Sequence, residues 1–308
     1  MNGSTRRRFP WHVLVFLAPA VLVYTAFSAW PLVDTLRLSA YGTGPDGAVA
    51  FVGLQNFRTL LFDAQWFESF RNAMVNNVEF FAIHSLVQNP VALVLAALLS
   101  LRGLRGAAAY RTVLFLPTLL SVVIIGFSWQ LILSPLWGVT EKLLGFVGLE
   151  RFFGPWLGME ETALPVLTLM SVWQFIGIPM MLIYAALIAI PEDIIEAAVV
   201  EGAGPWRIFW AIRLPLILPT LGLVNILTFV GNFNAFDLVY AVKGASAGPN
   251  FATDLLGTLF YRTFFGYQSQ PGSATMGAAL ATLMFLVILA GIAVYLFVVQ
   301  RRLRRFAL

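Results

Sequence analysis

Six apolar runs, each about 20 residues or longer, divide this chain and leave a bilayer as its only workable solvent. They cover Trp11–Leu32, Ala73–Leu99, Thr112–Leu133, Ala163–Ala189, Leu216–Val242 and Ala274–Val299. In hydrocarbon every backbone N–H and C=O must find its partner inside the segment, so runs of this length are predicted to be helices. The expected fold is an all-α polytopic membrane protein with six transmembrane helices. Composition agrees: 11% of the 308 residues are charged and 59% are hydrophobic, whereas a soluble domain carries about 25% charged residues. Pro19, Pro90, Pro117 and Pro179 fall in or near the runs. They read as kinks, because neighbouring groups in a bundle satisfy the freed carbonyls.

The formal net charge of +4 forms no basic face interleaved with aromatics, so nucleic acid is not an expected partner. The cations cluster at the ends of apolar runs, which sets orientation. Arg6, Arg7 and Arg8 precede the first run, and Arg102, Arg105 and Arg111 lie between the second and third. Arg207 and Arg213 lie between the fourth and fifth, and Arg301, Arg302, Arg304 and Arg305 close the chain. All fall on one side, predicted to be cytoplasmic, together with both termini. The N-terminus has the outline of a secretory signal, but its apolar run is long for a cleaved one and reads as a retained helix. The chain has no cysteine, which removes disulfides and thiol chemistry, and its two histidines, His12 and His84, have no ligand-like neighbours.

Residues 1–10 are expected to be a basic cytoplasmic segment and 11–308 a single membrane domain, with a cytoplasmic loop at 190–215 and a basic tail at 300–308. The aromatic segments around Phe51–Phe57, Trp66–Phe70, and Trp137, Phe152, Phe153 and Trp156 suggest short interfacial helices on the opposite side. They serve either as membrane anchors or as a docking surface for an extracytoplasmic partner.

The 190–215 loop carries the most information. Pro191 suits a helix start, where its missing N–H is not needed, and Glu192 and Asp193 then favour the positive end of the helix dipole. Ile194, Ile195, Ala198 and Val199 recur at helical spacing as an apolar stripe, with Glu196 and Glu201 standing off it. Gly202 and Gly204 end the helix, Pro205 prevents its return, and a second short helix is predicted over about Trp206–Arg213. An ordinary amphipathic helix on the inner leaflet would give the same periodicity.

Glu196-Ala197-Ala198, then Gly202, then Ile212-Arg213-Leu214-Pro215, resembles the coupling loop of ABC-importer permeases. Further matches are Phe51-Val52-Gly53-Leu54-Gln55-Asn56-Phe57, Tyr110–Pro117 and Ile190-Pro191-Glu192-Asp193. On these the chain is similar to the maltose-type, binding-protein-dependent carbohydrate-uptake family, with the type I importer permease fold. It lacks the extra N-terminal spans and large insertion of that group's larger membrane subunit, and has Glu201 where the family commonly has Asp. The resemblance implies a second homologous permease, two ATPase subunits and an extracytoplasmic sugar-binding protein as partners. It assigns ATPase coupling to Glu196, Ala197, Ala198, Glu201 and Gly202. The chain has no G-x-x-x-x-G-K-[ST] loop, so ATP and Mg would be bound by the partner ATPases and this subunit would not be an enzyme. It would be a multi-pass protein of the bacterial or archaeal inner membrane, working by alternating access.

Polar groups inside a span are costly and point to function. Asn225, Thr228 and Asn232 share one face of the fifth run, Asn234 and Asp237 a neighbouring one, and Gln130 and Gln174 each follow a tryptophan. Such amides and hydroxyls suit a neutral sugar. The resemblance places sugar contacts at Ser171, Gln174, Phe175, Ile178, Thr228, Asn232 and Ala235; Ile178 and Ala235 lack the polar or aromatic character of the maltose type, so the sugar is not thereby identified. Helix–helix hydrogen bonding would explain the amides equally, and Glu79 and Asp237 read as partners of loop arginines. The expected cargo is a sugar or derivative; the alternative is a glycerol phosphate or another polar solute, which would call for a cation inside the spans. An intramembrane enzyme lacks its motif, since neither H-E-x-x-H nor G-x-S-x-G occurs, and a passive channel has no use for the coupling motif.

Overall fold

The computed structural model describes residues 11–44, 48–101, 103–137, 139–268 and 270–303. The 1–10 segment with Arg6, Arg7 and Arg8, and also Arg102, Arg304 and Arg305, lie outside the described residues. Four described helices are long and apolar enough to cross a bilayer: Val15–Leu38, Ala64–Leu99, Pro205–Phe233 and Ala274–Arg302. Two helix pairs qualify together but are bent, Ala107–Leu119 with Val122–Leu133 by 96° and Glu160–Phe175 with Gly177–Ile188 by 46°. Counting each bent pair as one span gives the six expected.

Several boundaries differ from the sequence expectation. The third span is not one helix over Thr112–Leu133 but breaks at Leu120-Ser121. The fifth stops at Phe233 rather than Val242; Asn234, Ala235 and Phe236 leave the helix, and a separate helix covers Asp237–Lys243. The short helix expected over Trp206–Arg213 is no separate element, because Pro205–Ile208 continues through a wide turn, Phe209–Arg213, into Leu214–Phe233. Trp66–Phe70 is not an interfacial helix either: it opens the second span, whose N-cap is Asp63, its carboxylate accepting from the Gln65 and Trp66 amides. Short helices do form at Gln55–Phe62, Val139–Phe146, Glu150–Phe152 and Trp156–Gly158. Two small antiparallel ribbons, Tyr41–Thr43 with Val49–Phe51 and Gly266–Tyr267 with Gln270–Pro271, are added to the helices.

The prolines explain a repeated detail. Of four π turns among the described residues, Thr25–Ala29, His84–Gln88 and Phe209–Arg213 are each followed two residues later by a proline, Pro31, Pro90 or Pro215, whereas Tyr295–Val299 is not. A proline has no N–H to give and its ring collides with the carbonyl four residues back. In all three spans that carbonyl, of Phe27, Leu86 or Ala211, lies within the π turn, where the wider ring makes room.

Three buried clusters hold the bundle. One, with Ala92, Met180, Ile183, Leu187, Ile190 and Ile217, joins the second, fourth and fifth spans beside the 190–215 segment. A second, with Phe80, Leu133, Leu167, Leu238 and Leu255, joins the far ends of the second, third and fourth spans to the chain after Phe236. The third packs Leu60, Phe233, Leu256 and Leu280 between the helices Gln55–Phe62 and Leu256–Phe265 and the last span. The first span touches the last through Trp30–Leu38, and its Phe16 and Phe27 are about four-fifths exposed, as lipid-facing residues are.

Candidate functional site

A cavity of about 350 Å³ opens between the second, fourth and fifth spans, bounded by the helix Asp237–Lys243. The π turn at His84–Gln88 aims both of its polar ends inward, and His84 and Gln88 are 2% and 3% exposed. His84 Nδ1 lies 2.8 Å from the Phe80 carbonyl oxygen, which can only accept, so Nδ1 carries the proton. In the neutral ring Nε2 is then free to accept from the Ser171 hydroxyl at 3.1 Å. Ser171, Phe175, Ile178 and Pro179 line the wall of the fourth span, and Thr228, Asn232, Asn234 and Ala235 that of the fifth. Asn232 is 7% exposed and its Nδ2 has no acceptor among the described residues. Asn234 Nδ2 donates to the Val230 carbonyl at 2.8 Å, which leaves its Oδ1 as an acceptor. Asp237 completes the polar lining, and no lysine or arginine is among the lining residues.

Of the residues expected on the substrate path, Ser171, Phe175, Thr228, Asn232 and Asn234 are brought together here, and Gln174, Asn225 and Gln130 are not. Gln174 is fully buried beside the break in the third span: its Nε2 donates to the Leu120 carbonyl at 3.3 Å, and its own carbonyl accepts from Thr118 Oγ1 at 2.9 Å. Gln130 donates to the Val242 carbonyl, and the preceding Trp129 meets Trp173 edge-on at 5.6 Å. Asn225 Oδ1 accepts from Ser85 Oγ at 3.1 Å and from Asn89 Nδ2 at 3.3 Å, while Thr228 Oγ1 approaches Asn89 Oδ1 at 3.4 Å. These bonds tie the second span to the fifth. His84 and Gln88 were not expected. Their i, i+4 spacing just before Pro90 was the available signal.

The loop expected to couple the subunit forms a helix at Glu192–Val200 with Pro191 as its N-cap and Glu192 and Asp193 in its first turn. Gly202 has φ +82°; its N–H bonds the Val199 carbonyl and that of Ala203 bonds the Ala198 carbonyl, a complete Schellman ending. Ala198 is buried and Ile195 packs on the adjoining cluster, whereas Val199, expected on the same stripe, is exposed. Glu196, Ala197, Glu201 and Gly202 are exposed together on the outer surface of this segment.

Beyond the cavity the chain from Phe251 to Leu256 is laced to the second span. Asn72 Nδ2 donates to the Phe251 carbonyl, and Asn76 Nδ2 to those of Ala252 and Asp254. Asn77, fully buried, donates to the Asn232 carbonyl at 2.9 Å and accepts from the Leu256 amide at 2.7 Å. Among the described residues Glu79 and Asp237, expected to pair with loop arginines, make no such pair, and the buried ion pair is Asp254 with Arg262, a fork with contacts of 2.8 and 2.6 Å.

The model of the binding-protein-dependent transport system inner membrane component family matches residues 88–305. The chain belongs to that family. This inner membrane component is 27% identical to the arabinooligosaccharides transport system permease protein AraP of Bacillus subtilis, over 89% of this chain and 85% of that one. It is 32% identical to the sn-glycerol-3-phosphate transport system permease protein UgpA of Shigella flexneri, over 91% and 92%. Its fold matches a solved bacterial ABC transporter involved in the import of the acidic polysaccharide alginate, with a TM-score of 0.76 at 23% identity over 96% of each chain. The family places this multi-pass subunit in the inner membrane as part of a binding-protein-dependent transport system.

Proposed function

We propose that this chain forms half of the path by which a sugar, from a monosaccharide to an oligosaccharide or a derivative, is imported across the inner membrane. The other half comes from a second homologous permease. An extracytoplasmic binding protein delivers the sugar, and one of two ATPase subunits docks on the 190–215 segment, with Glu196, Ala197, Ala198, Glu201 and Gly202 coupling it to this chain. The termini and that segment face the cytoplasm. ATP and Mg are held by the partners, whose closure turns the cavity outward.

The carrying observation is the chemistry of the cavity: amides, hydroxyls, an imidazole and the Asp237 carboxylate on apolar walls, with no lysine or arginine among the described lining residues. Amides and hydroxyls donate to and accept from sugar hydroxyls, and a carboxylate accepts from them while repelling an anion. Likeness to an arabinooligosaccharide permease supports this reading. Likeness to a glycerol-phosphate permease favours a second one, but an anion in this cavity would need its charge met by the other permease. Affinity purification of the tagged chain from its own membranes, followed by mass spectrometry, tests the assembly. A second permease and an ATPase should accompany it, and the associated binding protein should bind a sugar. A chain that is active alone, or a binding protein selective for a phosphate ester, overturns the proposal.

A further inference from the structure

A second recess of about 530 Å³ adjoins the cavity and shares Asn234 and Phe236 with it. Its remaining walls come from the helix Leu256–Phe265, chiefly Phe260 and Tyr261, and from Ala281 and Phe285 of the last span. Gly257 lets that helix come close: a Cβ there would stand 2.6 Å from the Ala235 carbonyl oxygen and 3.0 Å from Phe236 Cβ. The approach gathers three rings from two elements. Phe236 lies 5.0 Å from Tyr240 with a 28° interplanar angle and 5.4 Å from Tyr261 with one of 30°. Tyr240 Oη donates to Tyr261 Oη at 3.2 Å, so the Tyr261 hydroxyl keeps its own proton for another acceptor.

We propose that this recess is a second sugar-ring subsite, continuous with the cavity, so that the importer carries an oligosaccharide whose successive rings occupy the two. The inference rests on the sugar reading above. A sugar ring presents a face of C–H bonds, which an aromatic face attracts through its negative quadrupole, and an edge of hydroxyls, which needs amide or phenol partners. The recess offers both, with aromatic walls and a rim of Asn234 Oδ1 and the Tyr261 hydroxyl. Each space lies within the range of about 300–1,000 Å³ usual for small-molecule sites. Lipid-facing belt aromatics stand singly at the interface, whereas these rings face one another across two elements beside an amide-lined cavity.

The chain has no cysteine, so Ala281→Cys places one thiol of this subunit in the recess. The complete importer, with its binding protein, is held in nanodiscs with a non-hydrolysable ATP analogue and treated with a membrane-impermeant maleimide. Only a thiol in contact with water ionises and reacts. The probes are glucose and arabinose, each as monomer, dimer, trimer and tetramer. Labelling should occur, and the dimer, trimer and tetramer should slow it while the monomers do not. In proteoliposomes Tyr261→Ala should cut trimer and tetramer uptake about three- to tenfold, the loss of one ring contact. Monomer uptake should persist, and Tyr261→Phe, which keeps the ring but loses the hydroxyl, should restore part of the longer-chain uptake. An unreactive thiol means that lipid or the second permease fills the recess and refutes the subsite. Labelling that no oligomer slows, in an importer that transports sugars, refutes the subsite alone. An importer that moves no sugar of any length refutes the sugar reading and the subsite together.

Discussion

Gly177→Ala is the sharpest test of how the two bent spans meet. Gly177 follows the bend at Ile176, and a Cβ there would lie 2.9 Å from Phe115 Cα, with Phe115 Cδ2 and Thr118 Oγ1 each at 3.0 Å. Carbon pairs prefer about 3.5–4.0 Å, so the third and fourth spans must part by roughly half an ångström or more. The nearest obstacle is backbone and cannot rotate away. Parting strains the bonds from Thr118 Oγ1 to the Gln174 carbonyl and from Gln174 Nε2 to the Leu120 carbonyl. Overpacking of this kind costs about 1–3 kcal/mol, or a fall of about 2–12 °C in melting temperature at roughly 2–4 °C per kcal/mol. The assay is the melting of the detergent-purified protein followed by size-exclusion chromatography. Gly231→Ala is the control, because nothing lies within 4 Å of its added Cβ, and it should melt like the parent. Gly177→Ala melting at the parental temperature would refute the close approach and the packing argument with it.

Other outcomes follow from single contacts. Gly202→Asp keeps a residue type that tolerates the left-handed φ of +82° but adds a charged side chain to the exposed 190–215 surface. Membrane insertion should be intact while uptake falls at least about tenfold, near 1.4 kcal/mol; normal uptake would refute a coupling role there. Asn77→Leu keeps the volume but leaves the Leu256 amide without its acceptor, at a cost of about 1–3 kcal/mol. It should lower the melting temperature and expose 244–255 to protease, and a parental melt would contradict the assigned bonds. Lys243, beyond the fifth span, donates to the Leu157 carbonyl, and burial holds its pKa below the ordinary 10.5. Between that lowered value and 10.5 the unfolded chain binds more protons than the folded one, so stability gains with pH across the window. Lys243→Met should flatten that alkaline gain in melting temperature; an undiminished gain would argue against the burial.

Hydropathy located the spans because lipid demands length, and it failed where apolar residues run on past a helix end. Phe236, Leu238, Val239 and Val242 prolong the fifth run beyond Phe233, and Asn234 was the lone mark of the break. The Glu192–Val200 helix was legible because both of its ends are written in backbone chemistry, a proline before and a left-handed glycine after. Amides were harder to place. Gln174 and Gln130 are drawn to carbonyls left free where helices break or end, those of Leu120 and Val242, and sequence polarity does not say where such carbonyls lie. His84 and Gln88 escaped notice for a related reason. Inside an apolar run their shared face emerges only once the turn before Pro90 is known to be widened.

Asn72, Asn76 and Asn77 occupy one side of the second span, and between them they bind four carbonyls and an amide of the chain from Asn232 to Leu256. That stretch includes the floor of the cavity at Asn232 and the start of the helix that walls the aromatic recess. The second span, the end of the fifth and the connection to the sixth therefore travel as one lever. A transport cycle that tilts this lever carries Asn234, Phe236 and the start of the Leu256–Phe265 helix with it, one wall of the recess, while the other wall belongs to the last span. The interrupted helices lie outside this asparagine lacing: the bends at Leu120-Ser121 and Ile176 are bonded to each other instead, through Thr118, Gln174 and the Leu120 carbonyl. In mechanical terms one wall of the cavity is braced by the asparagines of the second span, and the facing wall, on the fourth span, carries a bend at Ile176.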